Sequence, residues 1–436
     1  MLNKRKILAG FVHIGLFLTI VTGCGRNDGR IINHSDTNEV TVTILFDSQI
    51  EQDGIRAVAA DIEKKYNIKT EIETRPTGVE GHEIIKTRLA TGDMTDLVFY
   101  NSGSLVQALN PEENFVDLKN EPFMKDVLEP FKKSVMVNGK VFGAPVGNAF
   151  AGGWLYNKKV YKELGLSIPK TWNELMANSE KIKGAGKTAV IGTYKEQWTS
   201  QLIVLADNHN VIAEYPTFAE DLTSHKVNIA TTPTALRSFE KLSEVYQKGY
   251  LNSDFQSASI NDGLKMLAEG TGVQYPYMSK GLMEIAKQYP DQMNDIGFFP
   301  QPGDNPDSNG LTIFMPAAIY VNKNTQNLEA AKKWVEYFIS PEGVKTYQAN
   351  KTPIGPLPLK GVNVPDHVMP AVKDILTYFE SEKVTPALEF LSPLKGPNLP
   401  QITTKVGSGT ISAQQGAQLY DQDLEIQAKQ LGLKGW

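Results

Sequence analysis

The sequence predicts an α/β protein built as two lobes. Three observations point to this: an alternating β-α-β-α-β start to the folded part, a chain too long for one core, and a glycine-rich extended stretch that reads as a crossing. With the first 39 residues set aside, about 400 of the 436 remain. A single hydrophobic core seldom supports so many.

Those first residues read as export machinery. Lys4, Arg5 and Lys6 form a charged start, and Ile7 to Val21 is apolar apart from His13 and Thr19. That suits the core of a signal peptide and falls short of the roughly 20 residues of a membrane span. Val21-Thr22-Gly23-Cys24 resembles a bacterial lipobox, and Cys24 is the only cysteine, so it has no disulfide partner within the chain. Residues 1–23 are therefore expected to be cleaved and Cys24 to carry a lipid anchor. The polar residues 24–39 read as a flexible tether. Cleavage removes three positive charges and no negative ones, moving the formal net charge from -5 to -8. No basic run survives, which excludes nucleic acid as a partner.

The β-branched Val40-Thr-Val-Thr-Ile-Leu-Phe46 predicts the first strand. A helix follows from Asp53 to Tyr66, its Ile55, Val58, Ile62 and Tyr66 spaced to form one buried stripe. Lys69 to Glu73 is a second strand, His82 to Thr91 a second helix and Asp96 to Tyr100 a third strand. Such a series favours a parallel sheet with ligands outside the carboxyl ends of its strands. Asp47, Ser48, Tyr100, Asn101 and Ser102 stand there. From Lys140 to Tyr156 the chain is extended, with Gly147, Gly152 and Gly153 suiting a hinge.

Beyond the crossing mostly helices are expected. Thr171-Trp-Asn-Glu174 has the spacing of a capping box. Another helix opens at Thr232-Pro233 and buries Leu236, Phe239, Leu242 and Val245. Leu311 to Val321 reads as the strand that returns to the first lobe, followed by a helix from Leu328 to Ile339 and a further helix opened by Ser340-Pro341. Ile354 to Gly361 is too proline-rich for regular structure, and residues 366–436 are mostly helical. The N-terminal lobe thus takes residues 40–147 and 311–360. The C-terminal lobe takes 148–310 and 361–436, with the last helices able to pack on both.

Enzyme signatures fail one at a time. Gly184-Ala-Gly-Lys-Thr188 lacks the earlier glycine of a phosphate loop, where Lys181 stands. His82-Glu-Ile-Ile-Lys86 places lysine where a zinc-protease helix needs histidine. There is no Gly-x-Ser-x-Gly elbow, the histidines show no ligand spacing, and Asp304 to Asn309 lacks the alternating donors of a calcium loop. No cofactor, metal or catalytic residue is expected. A carboxylate pair of glycosidase type has no sequence spacing by which to recognise it.

Asn138-Gly-Lys-Val-Phe-Gly-Ala-Pro145, Leu155-Tyr-Asn-Lys158, Leu164-Gly-Leu166 and Pro169-Lys-Thr-Trp-Asn-Glu-Leu175 follow one another in an order that resembles the extracellular sugar-binding proteins of bacterial ATP-driven (ABC) importers. Leu89 to Leu97, Ile296-Gly-Phe-Phe-Pro300 and Ala330 to Pro341 extend the likeness. It departs between Val273 and Met283, where many members carry tryptophan in a Gly-Ser-Trp setting. The resemblance implies a periplasmic-binding-protein-like fold whose hinged lobes close over a sugar and present it to permease subunits. It further implies a monomeric protein, outside the cytoplasm and held to the cell membrane by lipid. A pyranose needs a flat aromatic surface and polar groups in the plane of its ring. Trp198, Tyr275, Tyr277 and Tyr100 are the stacking candidates, and Asp47, Asn101 and Asn148 the polar rim; Trp172 and Trp334 read as core. Three alternatives remain open at this point: a secreted sugar-active enzyme, a lipoprotein sensor, and an importer protein for a non-sugar solute.

Overall fold

The opening β-α-β-α-β series forms where the apolar spacing places it. The structure is a computed structural model that describes residues 40–48, 50, 52–349, 354–362 and 368–436. The signal segment, Cys24 and the tether lie outside the described residues. Along the chain run β1 (Val40–Asp47), β2 (Ile68–Arg75), β3 (Leu97–Tyr100), β4 (Gly143–Pro145), β5 (Phe150–Asn157) and β6 (Thr188–Val190). After these come β7 (Gly272–Met278), β8 (Ile296–Pro300), β9 (Leu311–Phe314), β10 (Ala318–Val321) and β11 (Val384–Pro386).

The first lobe is a five-stranded sheet in the order β2-β1-β3-β10-β4. Strands β1, β2 and β3 are parallel, and β10 runs antiparallel to both β3 and β4. The helix Asp53–Tyr66 buries Ile55, Val58 and Ile62 against this sheet. Tyr66, expected on the same stripe, is instead 40% exposed. It ends the helix, next to a left-handed Asn67, and meets Tyr337 edge to face at 5.8 Å. Trp334 and Phe338 of the helix Leu328–Phe338 complete the core.

The second lobe is mostly helical, as expected, but its helices surround a sheet that the sequence reading does not place. Its centre is a six-stranded sheet, β11-β9-β5-β7-β6, with β8 also paired to β5. Strand β7 escaped notice because Pro276 interrupts its alternation. Proline is tolerated there because the last registered pair between β6 and β7 is Val190 with Gln274. Helices cover both faces: Trp172, Phe239 and Leu424 pack on one side, Leu264, Ile285 and Ile375 on the other. The capping box forms as its spacing predicts, with Thr171 and Glu174 each satisfying a free amide of the first turn.

The run Leu311–Val321 does not return to the first lobe as one strand. Leu311–Phe314 pairs with β5 and β11 in the second sheet, and the crossing falls at Met315-Pro316-Ala317 before β10 joins the first. Proline at 316 cannot donate to a ladder, which separates the two strands. This crossing is tied to its neighbours. Val146 N–H donates to the Ala317 carbonyl at 2.9 Å, and Ala149 N–H to the Pro356 carbonyl at 2.9 Å. Gly147 takes φ +88°, a left-handed conformation that the missing Cβ allows at the turn of the first crossing.

Candidate ligand-binding site

The carboxyl ends of the parallel strands meet as the β-α-β reading requires. Asp47 ends β1 opposite Arg75, which ends β2, and Nη1 of Arg75 lies 3.7 Å from Oδ2 of Asp47. Arg75 is only 5% exposed. Nη1 also donates to the Pro76 carbonyl at 3.0 Å, and the guanidinium sits 5.6 Å from the centre of the Tyr100 ring. Tyr100 ends β3 and hydrogen-bonds through its hydroxyl to Nδ1 of His82. Burial lowers the pKa of Arg75 while Asp47 opposes the shift. Burial likewise lowers His82 and raises Tyr100, so at neutral pH the imidazole is uncharged and the phenol protonated.

The other expected groups of this lobe are placed unequally. Asn101 and Ser48 are exposed at the strand ends. The Asn101 carbonyl accepts from the Tyr320 hydroxyl at 2.8 Å, and Ser48 N–H donates to the Arg75 carbonyl at 2.9 Å. Ser102 is buried and donates to the Pro316 carbonyl at 2.8 Å, so it anchors the crossing.

The second lobe brings an aromatic column. Trp198 lies half-buried on the 3₁₀ turn Gln197–Gln201. Its ring is 5.7 Å from that of Tyr277 at 47°, and Tyr277 stacks on Tyr275 at 4.8 Å and 24°. Tyr275 is a core residue: it is 1% exposed, and its hydroxyl is paired with Thr193 at 2.7 Å. It supports Tyr277, itself buried, and Trp198 forms the outer surface. Over the indole, 4.2 Å from its centre, sits the ammonium of Lys280. Burial pushes Lys280 down to about 8, against the opposing charges of Asp47 and Glu284. Asp47 belongs to the first sheet and Lys280 to the second lobe, so the two halves face each other here. Nearby, a side chain on Gly103 of the first lobe would meet the Glu389 carbonyl at 2.7 Å.

Asn148, expected on the polar rim, is buried. Its amide donates to the Gly355 carbonyl, which joins the first crossing to the segment that leaves the first lobe again. A cavity of about 380 Å³ lies elsewhere, lined by Asp207, Asn210, Arg237 and Asp304 among others. No aromatic side chain lines it, and a sugar ring would find no stacking surface there.

Sequence reasoning missed Arg75, His82 and Lys280. Arg75 stands two residues past the predicted end of its strand. His82 stands in a sequence setting that points only to a failed zinc-protease pattern. The signal for Lys280 was present: it follows Ser279, where the resemblance expects tryptophan after serine.

Comparison with known proteins now adds a family. The sequence pattern of the bacterial extracellular solute-binding proteins matches residues 47–345. The multiple sugar-binding protein of Streptococcus mutans serotype c is 27% identical over 374 residues, 82% of this chain and 83% of that protein. The melibiose/raffinose/stachyose-binding protein MelE of Bacillus subtilis is 21% identical over 369 residues, 79% of this chain and 80% of its own. Two solved structures share the fold. RafE in complex with raffinose gives a TM-score of 0.73 at 21% identity, covering 89% of this chain and 100% of that one. A chitin oligosaccharide binding protein gives 0.74 at 17%, covering 89% and 100%. The family's pattern runs from the last residue of β1 into the helix Pro341–Ala349, well over half of the chain, and the protein is a member of the bacterial extracellular solute-binding protein family.

Proposed function

We propose that the chain captures a mono- or oligosaccharide between its lobes and delivers it to the permease subunits of an ABC importer without turning it over. The observation that carries this reading is one cleft shared by two sheets: Asp47, Arg75 and Tyr100 from the first, Trp198 and Lys280 from the second lobe. Trp198 offers the apolar face a pyranose needs, with Tyr277 behind it. Asp47 with the exposed Ser48 and Asn101 supplies hydroxyl partners, and a carboxylate makes the stronger, charge-assisted bonds. Names of relatives such as the multiple sugar-binding protein and MelE favour a sugar over an amine or peptide.

The family works outside the cytoplasm. In this reading Cys24 carries the lipid that holds a monomer to the membrane, and residues 25–39 let it reach its permease. Closure follows from the geometry of the ligand: contacts to both lobes exist only when they are shut, so binding selects that form.

The test is a thermal-shift screen of the soluble chain from Asn27 onward against mono- and oligosaccharides, because a ligand of the folded state raises its apparent stability. A shift with one sugar class, lost in Trp198→Ala, is expected, with the ligand recovered intact after long incubation. Shifts with amines or peptides alone would sink the sugar reading, and hydrolysis of the bound ligand would sink the claim of capture without turnover.

A further inference from the structure

The cleft contains a cation in a place that disfavours it three times over. Lys280 is half-buried, and removing an ammonium from water is costly without a counter-charge. It also stands at the N-cap of the helix Gly281–Gln288, the positive end of that helix's dipole. Thirdly, among the described residues no carboxylate oxygen lies within 4.0 Å of its ammonium.

The carboxylates whose charge does reach Lys280 are Asp47 and Glu284. Asp47 is shared with the buried guanidinium of Arg75, and Glu284 is exposed, where water screens it. Around these groups stand Glu196, half-buried and facing Tyr277, and the exposed Glu83 and Lys86 beside His82; none of these charges pairs with the ammonium of Lys280. Lys280 rests meanwhile on the indole of Trp198, the surface on which a sugar ring would stack. A neutral sugar that takes this face must displace the ammonium and offers it hydroxyl acceptors but no counter-charge.

We propose that Lys280 is a specificity residue for a carboxylate, and that the captured saccharide carries a uronate unit. The ligand's carboxylate draws the ammonium off the indole into a charge-assisted pair, and the sugar ring takes the vacated face. This deepens the saccharide reading above and rests on it.

Titration calorimetry on the soluble chain from Asn27 tests it with matched pairs: cellobiose and cellobiouronic acid, and the corresponding pairs of the galacto and manno series. In at least one series the uronate member is expected to bind about tenfold more tightly than its neutral partner, the scale of one hydrogen bond to a charged group. Lys280→Gln should bring that pair within about twofold, while Lys280→Arg, which keeps the charge, retains the preference. Circular dichroism verifies that each variant is folded. Equal or tighter binding of the neutral members by the unaltered protein overturns the inference and leaves sugar capture standing. So does an acid preference that survives Lys280→Gln. Absence of heat with every saccharide, neutral or acidic, overturns both.

Discussion

Lys280, over the indole of Trp198, shows at the scale of single residues how a buried charge stores unfavourable energy. Burial holds the folded ammonium near pKa 8, whereas the unfolded chain keeps the ordinary value of 10.5. Between those pH values the unfolded state binds more protons, so stability rises with pH through this window. Below about 8 the cost of the buried charge is present in full. Lys280→Met carries no such cost at any pH. Urea unfolding of both proteins at pH 7 and pH 10 should therefore find the unaltered protein gaining on the variant as pH rises; a constant gap would show that Lys280 is solvated. Residues of this kind are hard to see in a sequence. The placement of Asp47 and Tyr100 at strand ends was legible from strand periodicity, and the partly exposed setting of Trp198 from the polar residues around it. Arg75 owes its position to burial between elements distant in the chain, which no local spacing encodes, and Lys280 is marked only by the family resemblance, which expects tryptophan after serine there.

At the scale of elements, the helix Pro233–Gln247 is held by an ion pair beneath its apolar stripe. Lys241 Nζ lies 2.6 Å from Oδ1 of Asp207, with the two side chains 2% and 1% exposed. Ser238 and Asn210 also donate to Asp207, at 2.8 and 2.7 Å, and Lys241 reaches the Pro302 carbonyl at 3.1 Å. Removing one partner leaves the other charge buried. Asp207→Ala is expected to lower stability by about 3–5 kcal/mol in urea unfolding, and Asp207→Leu with Lys241→Met should recover most of that loss. A double variant as unstable as the single one would mean that the pair does more than satisfy itself. The stripe of this helix was readable in Phe239, Leu242 and Val245, which are buried at helical spacing, while Leu236, expected with them, is only partly buried in the first turn. The ion pair was not, because Lys241 sits in sequence among solvated-looking charges. Strands suffered most. Thr188–Val190 carries too few residues for a period of two to stand out, and Pro276 breaks the alternation of the seven residues of β7.

At the scale of the whole molecule, the segments that cross between the lobes hydrogen-bond to one another, so any rotation of the lobes must move them together. Micromolar capture is worth about -8 kcal/mol. Turning an open-to-closed ratio of 99:1 into 1:99 takes about 5.5 kcal/mol, so a sugar of that affinity can drive closure and still be released. Small-angle scattering should show the radius of gyration falling on saturation with the sugar, towards about 21 Å for a compact chain of this length. An unchanged radius would mean that the ligand enters lobes already shut. Asn148 separates hinge from rim in the same experiment. Its amide satisfies the Gly355 carbonyl across two crossings. Asn148→Ala leaves that buried acceptor unpaired, at a cost of about 1–3 kcal/mol to the fold. The thermal midpoint should drop in the absence of sugar, with the radius change on binding preserved. If affinity falls by tenfold or more while the midpoint holds, Asn148 touches the sugar, and the hinge must lie in Gly147 and the crossing at Met315 to Ala317 instead.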